Sequence, residues 1–299
     1  MFKRLLLVLD TIKIAHSIFA LPFALVAMLV AAGGWPAWKT VGLIVACMVF
    51  ARSAAMAFNR WTDRDFDADN PRTKTRPSVT GAISPEFLIG FVLLTAVAFT
   101  VCAWLLNPLC GYCALPVLIF LCGYSYAKRF TSLCHFWLGA ALGLAPVSAH
   151  LAVRGDFQPL PGLGASWNTS FEYFPWLLGM AVLCWVSGFD LIYACQDYRV
   201  DAADLRLHSI PKRFGIAHSL RFSSVLHVLA VAILIGVGVY AHLQTGYFSA
   251  VALVSGILIY EHRIVKPNDL SRVNVAFFTL NGAVSLVLLL AVWIEKVWL

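Results

Sequence analysis

Charge is scarce in this sequence. Asp, Glu, Lys and Arg make up 12% of its 299 residues, about half the ~25% usual in soluble domains, which excludes a water-soluble globule of ordinary composition. Histidines in ligand spacing are lacking as well: the eight His are scattered and none pairs with a cysteine motif as a zinc site requires. The eight cysteines supply a single Cys-x-x-Cys, at Cys110 and Cys113. Most of the others lie inside apolar runs, where Cys acts as a small apolar residue. A soft-ligand metal centre is thereby excluded, and a Cys110–Cys113 disulfide in an oxidising compartment is the alternative to plain packing. Alternation of apolar and polar residues over ~10-residue segments is also missing, which excludes a transmembrane β-barrel.

What fills the chain instead is hydrocarbon. Hydrophobic residues make up 61%, aromatic residues 13%, and the mean hydropathy is +0.81. Apolar runs near the ~20 residues that cross a bilayer recur throughout. They predict an all-α polytopic membrane protein with nine spans at 14–33, 40–58, 87–106, 109–126, 135–152, 174–195, 222–241, 247–260 and 273–294, a single transmembrane domain over residues 1–299. The first run follows Lys3 and Arg4 as a signal peptide would, but Asp10 and Lys13 interrupt it and no small-x-small cleavage site follows.

With nine spans, nineteen of the 22 Lys and Arg residues fall on the side of the N-terminus, and only Lys39, Arg154 and Lys296 on the other. The bias assigns the first side to the cytoplasm. It also explains the net charge of +7 through anionic headgroups of the lipid bilayer or an anionic substrate, with no nucleic acid needed.

One stretch breaks the pattern. Residues 59–77, NRWTDRDFDADNPRTKTRP, hold nine charges in nineteen positions directly after an apolar run. A counterpart, DLIYACQDYRVDAADLRLHSIPKRFG, occupies 190–215. A single constant offset pairs Ser53 with Ser187, Asp63 with Asp197, Asp67 with Asp201, Ala68 with Ala202, Arg72 with Arg206, Pro77 with Pro211 and Gly81 with Gly215, without gaps. The regions 52–81 and 186–215 therefore read as parallel internal repeats. Four spans separate them, so both face the cytoplasm, and two acidic clusters on one face of a helical bundle imply one site.

Asn59, Asp63 and Asp67 fall at i, i+4 and i+8, the spacing of one helical face, and Tyr193, Asp197 and Asp201 repeat it. Arg52 lies two turns before Asn59 on that face. Carboxylates gathered at a membrane boundary call for a cation. Oxygen-only donors favour Mg²⁺, which takes one or two protein carboxylates and completes its shell with water and phosphate oxygens. Arg72, Lys74 and Arg76 between the acids suit phosphate. A ligand both greasy and anionic fits such a place, and a polyprenyl diphosphate is both. Asp65 and Asp69 pair with Arg199 and Ala203 at the same offset and read as solvated.

At these residues the sequence resembles the UbiA superfamily of intramembrane aromatic prenyltransferases. Asn59, Asp63 and Asp67 match its N-x-x-x-D-x-x-x-D motif; Asp190, Tyr193, Ala194, Asp197 and Asp201 match D-x-x-Y-A-x-x-D-x-x-x-D. YSYAKRFT at 124–131 is similar to the family's basic loop, and KIAHSIFALPFAL at 13–25 to the first helix of the branch using hydroxybenzoate-type acceptors. Arg60 departs from the Asp common after the motif Asn. The resemblance implies nine helices around a central cavity and Mg²⁺-dependent ionisation of a polyprenyl diphosphate, followed by substitution on a small aromatic acid. The acceptor it implies is 4-hydroxybenzoate in ubiquinone synthesis, with a dihydroxynaphthoate-type acid of a menaquinone route as the alternative. By the same carry-over, Asp63, Asp67, Asp197 and Asp201 hold Mg²⁺–diphosphate, supported by Asn59. Lys128 and Arg129 serve the diphosphate or the acceptor carboxylate, and Asp190 and Tyr193 orient the acceptor or shield the cation. Arg52 is expected to clamp the acceptor carboxylate, since an intramembrane Arg is costly without an anion.

Two other readings fit less well. A CDP-alcohol phosphotransferase needs D-x-x-D-G-x-x-A-R, and the Gly–Ala–Arg part is missing. A transporter places its ionisable groups near the midplane on broken helices, whereas these acids stand at span ends beside basic residues.

Overall fold

A computed structural model describes residues 19–158 and 172–299. Among the described residues there is no strand, only an isolated bridge between Lys266 and Asp269. Within those same residues, the expected apolar segments all fall on helix. Among the described residues, seven helices are long and apolar enough to cross a membrane. The start of the first expected span, from residue 14, and the Lys13 end of its motif lie outside the described residues; its helix is described from Leu21. The expected eighth span is a 20-residue helix, Thr245–Ile264. The described residues form two compact units, one containing residues 41–127 and the other residues 19–40, 128–158 and 172–299.

The first unit is built from α2 (Trp38–Thr62), a short α3 (Arg64–Asp69), α4 (Pro85–Leu106) and α5 (Pro108–Ala127). Ser84 starts α4 by accepting from the Phe87 N–H at 3.3 Å, with Pro85 in the first turn, where its missing N–H costs nothing. The α4–α5 seam closes where Gly111 lies directly under the Trp104 ring. Leu93, Leu94, Val97 and Ile119 remain exposed, which is stable only against lipid. Cys110 and Cys113 are both free thiols, as are the other six cysteines.

The second unit is organised around α7 (Phe174–Ala194), flanked by α6 (Cys134–Arg154), α9 (Ile210–Tyr240) and α1 (Leu21–Ala32). Small residues bring these backbones together. A Cβ on Gly143 would stand 2.5 Å from the Gly179 carbonyl oxygen, and one on Gly179 would stand 2.6 Å from that of Gly143. Such contacts drive helix association where lipid removes the hydrophobic driving force. Gly188 gives the same close approach to the His227 ring on α9. The unit is completed by α10 (Thr245–Ile264), a π-helix at Val275–Leu280 and α11 (Asn281–Val297). Between α7 and α9, a 3₁₀ turn (Cys195–Asp197) leads into the short α8 (Tyr198–Ala203).

Three of the paired repeat positions share backbone geometry. Asp63 and Asp197 lie at φ/ψ of −94°/7° and −91°/4°. Asn70 and Asp204 end their short helices at −97°/119° and −97°/107°. Gly81 and Gly215 carry φ of +79° and +80°, a left-handed conformation that side chains resist. At Gly215 this breaks α9 near its start.

Candidate active site

In the first unit, α2 runs four residues beyond the expected apolar limit of Phe58, and the chain kinks at Asp63. The kink leaves the i→i+4 ladder whole: Asp63 N–H donates to the Asn59 carbonyl at 2.9 Å, and Asp67 N–H to the Asp63 carbonyl at 2.8 Å. Asn59, Asp63 and Asp67 therefore stay on one face, as their spacing predicts. Asn59 Nδ2 donates to Asp63 Oδ2 at 2.6 Å and to Ser125 Oγ on α5 at 3.4 Å, which fixes the first carboxylate. Asp67 is buried, and Arg76 Nη1 reaches both its oxygens at 2.6 Å. Thr73 Oγ1 ties the same turn by donating to the Asp67 carbonyl at 2.9 Å. Arg72 and Lys74 are exposed, as are Asp65 and Asp69.

Arg60, at the position that departs from the family pattern, is not peripheral. It is buried, donates to Asn59 Oδ1 at 3.1 Å, and stands 4.0 Å from Asp67. Its only sequence signal is the departure itself. Two turns up the same helix, Arg52 is half-buried within the span, and its Nε has no hydrogen-bond partner among the described residues.

In the second unit the acids of the second motif follow the same plan. Asp197 stands at the 3₁₀ turn and Asp201 on α8, both buried. Lys128 Nζ lies 3.1 Å from Asp201 Oδ1 and 2.9 Å from Oδ2, and Ser209 Oγ donates to Oδ2 at 3.0 Å. Burial disfavours the Lys128 ammonium, but the carboxylates of Asp201 and Asp197 outweigh it and raise its pKa. The basic loop is pinned by the His208 N–H donating to the Lys128 carbonyl at 2.6 Å, and Arg129 beside it is half-buried. Past the motif, Arg206 grips Asp204 through side-chain hydrogen bonds and holds its carboxyl down to about 2.

Asp190 faces a partner that its motif does not reveal. His135 Nδ1 on α6 lies 2.7 Å from Asp190 Oδ2, with the His135 side chain almost wholly enclosed. Tyr193 packs its ring against Phe277 of the π-helix, centroids 4.2 Å apart. Neither His135 nor Phe277 could be chosen from sequence, since each meets its partner from a distant part of the chain.

The donor set fits a hard divalent cation. Each unit supplies two carboxylates one turn apart and an amide or hydroxyl, all oxygen donors or their supports. Among the described residues no three His, Cys, Asp or Glu side chains converge on a metal. Mg²⁺ takes only one or two protein carboxylates and completes its shell with water and phosphate oxygens.

The sequence model of the UbiA prenyltransferase family matches residues 20–283. The chain belongs to that family. It is a prenyltransferase of the UbiA family and a multi-pass membrane protein. A 4-hydroxybenzoate octaprenyltransferase of Aromatoleum aromaticum is 31% identical over 276 residues, covering 91% of this chain and 86% of the relative. Among solved structures, the apo UbiA homologue from Aeropyrum pernix K1 is 32% identical with a TM-score of 0.82, covering 94% of this chain and 98% of that one. The UbiA homologue from Archaeoglobus fulgidus bound to GPP and Mg²⁺ shares the fold at 20% identity and a TM-score of 0.69, over 96% and 99% of the two chains.

Proposed function

We propose that this UbiA-family enzyme transfers a polyprenyl group from polyprenyl diphosphate to 4-hydroxybenzoate, in a Mg²⁺-dependent reaction at the cytoplasmic face of the membrane. The carrying observation is the carboxylate pair in each unit, Asp63 with Asp67 and Asp197 with Asp201, each with a cation on its buried second member. Similarity to 4-hydroxybenzoate octaprenyltransferases supports the acceptor and the length class of the chain.

In this reading the four aspartates hold the metal–diphosphate, and Asn59 keeps Asp63 aimed. Bound Mg²⁺ supplies Lewis-acid stabilisation of charge on the departing diphosphate. Arg76 and Lys128 neutralise the second carboxylates when no metal is bound and offer their N–H groups to phosphate oxygens when one is. Arg72, Lys74 and Arg129 add positive charge around the diphosphate. Arg52 Nε, without a hydrogen-bond partner in the span, is the donor for the acceptor carboxylate. Asp190, held by His135, and Tyr193, backed by Phe277, orient the acceptor ring and keep water from the allylic cation.

The test is incubation of purified protein with Mg²⁺ and a panel of aromatic acids and prenyl diphosphates, read by mass spectrometry. A prenylated 4-hydroxybenzoate that disappears with EDTA is the expected product. Product from another acid of the panel, with none from 4-hydroxybenzoate, would overturn the acceptor assignment.

A further inference from the structure

Deep in the second unit lies a polar cluster that the proposed chemistry does not use. Asn281, wholly buried, is the first residue after the π-helix. Its side-chain amide makes three hydrogen bonds to three different elements. Oδ1 accepts from Trp185 Nε1 on α7 at 2.7 Å. Nδ2 donates to Glu261 Oε1 on α10 at 3.0 Å and to the Ala276 carbonyl in the π-helix at 2.9 Å. Both amide N–H groups and one of the two oxygen lone pairs are therefore used, in a place where an unmade bond has no water to replace it.

The last of these bonds has a consequence for the site. A π-turn inserts one residue and displaces carbonyls from the α-helical ladder, and the Asn281 amide secures one of them. Between Ala276 and Asn281 the turn carries Phe277 and Phe278. Phe277 lies 4.2 Å from the Tyr193 ring, 5.2 Å from Phe189 and 5.3 Å from Phe19, centroid to centroid. Trp185, another partner of Asn281, stacks edge-on against Phe189 at 5.0 Å. One amide thus fastens both ends of a continuous aromatic wall, and Tyr193 in that wall stands one turn before Asp197.

We propose that Asn281 is a positioning residue that holds Phe277 against Tyr193, and that this wall decides whether the allylic cation is captured by the acceptor or by water. The inference rests on the prenyl-transfer reading above. In that reaction the C1–O bond of the prenyl diphosphate breaks and its electron pair leaves with the diphosphate. The cation then either forms a C–C bond to the acceptor ring, which loses a ring proton, or forms a C–O bond to water, which loses a proton to give the prenyl alcohol. Aromatic faces stabilise the cation and exclude water. A wall loosened by a residue that touches neither substrate shifts the partition, whereas a general loss of fold lowers both products together.

The experiment measures prenyl alcohol and prenylated acid by mass spectrometry from purified enzyme with Mg²⁺, prenyl diphosphate and 4-hydroxybenzoate. Asn281→Leu is expected to raise the alcohol-to-product ratio about threefold or more, the scale of one lost aromatic contact. Phe277→Leu is expected to do the same, and the double variant to shift no further than either single one, since both act through one contact. Should Asn281→Leu not fold, Trp185→Phe, which removes the indole N–H together with its five-membered ring, is expected to move the ratio in the same direction. A ratio unchanged in the folded Asn281 variant, or in Trp185→Phe in its stead, overturns the inference, as do fully multiplicative shifts in the double variant. If the wild type releases no diphosphate, the proposed function fails and this inference with it; release with an unmoved ratio defeats this inference alone.

Discussion

Asp63 and Asp197, which the constant offset between the two motifs pairs, stand at nearly the same backbone angles, −94°/7° and −91°/4°, in a sparsely populated region. Each sits where a membrane helix gives way to a six-residue helix bearing another aspartate, Asp67 in one case and Asp201 in the other, both buried. The shared kink delivers two carboxylates one turn apart at the end of an apolar helix.

If these pairs bind metal, Asp63→Asn and Asp197→Asn remove a ligand each without changing shape. Each variant should lower prenyl transfer at least about a hundredfold, the loss expected when a metal's charge stabilisation is forfeited. Product formation under saturating Mg²⁺ is the measurement, and near-normal rates in both variants would remove these residues from the site.

If Arg52 clamps the acceptor carboxylate, its loss should separate substrate binding from chemistry. Arg52→Leu should raise KM for 4-hydroxybenzoate about 10- to 100-fold, the worth of a charge-assisted hydrogen bond. An acceptor phenol lacking the carboxylate should respond equally to wild type and variant. Equal KM increases for both acceptors would assign Arg52 to structure instead.

The Lys128–Asp201 pair carries a stability signature with a definite sign. The folded-state pKa of Lys128 is raised above its ordinary 10.5, so its contribution is complete below that pH and is lost as pH climbs through the folded value. Lys128→Met should therefore be less stable than wild type at neutral pH, because it leaves Asp201 buried without its cation. It should also lack the stability loss that wild type shows above pH 10.5. Thermal unfolding in detergent across pH checks both, and a variant as stable as wild type at neutral pH would discount the pair.

Gly143 and Gly179 test the packing of the second unit. Gly143→Ala places a methyl 2.5 Å from the Gly179 carbonyl oxygen, and overpacking of this kind costs about 1–3 kcal/mol. The melting temperature in detergent should fall while KM values of the surviving enzyme stay put. An unchanged melting temperature would mean the seam has slack.

What the sequence disclosed followed periodicity. Asn59, Asp63 and Asp67 were legible as one face because the i→i+4 ladder survives the kink, and expected spans such as 87–106 and 109–126 lie within two residues of Pro85–Leu106 and Pro108–Ala127. Helix ends that leave the apolar window were not legible. The helix after the second motif was expected from 222 but begins at Ile210, because Lys212, Arg213 and His218 are helical outside the hydrocarbon. The eighth was expected to stop at 260 and continues through Glu261 and His262, since Glu261 is enclosed by Asn281 rather than shed to water. His135, Ser209 and Asn281 were missed for one reason: they matter through partners on other helices, or across a kink, and a single sequence carries no mark of such meetings.

The contact of Gly143 with Gly179 also bears on where a long hydrocarbon tail goes. Backbones that meet at carbonyl distance leave no gap for a methylene chain, so the α6–α7 seam is closed to isoprene units. Whatever counts the repeats of the prenyl donor, it is not a tunnel through that seam, and widening it by mutation would cost the unit its packing without lengthening the product.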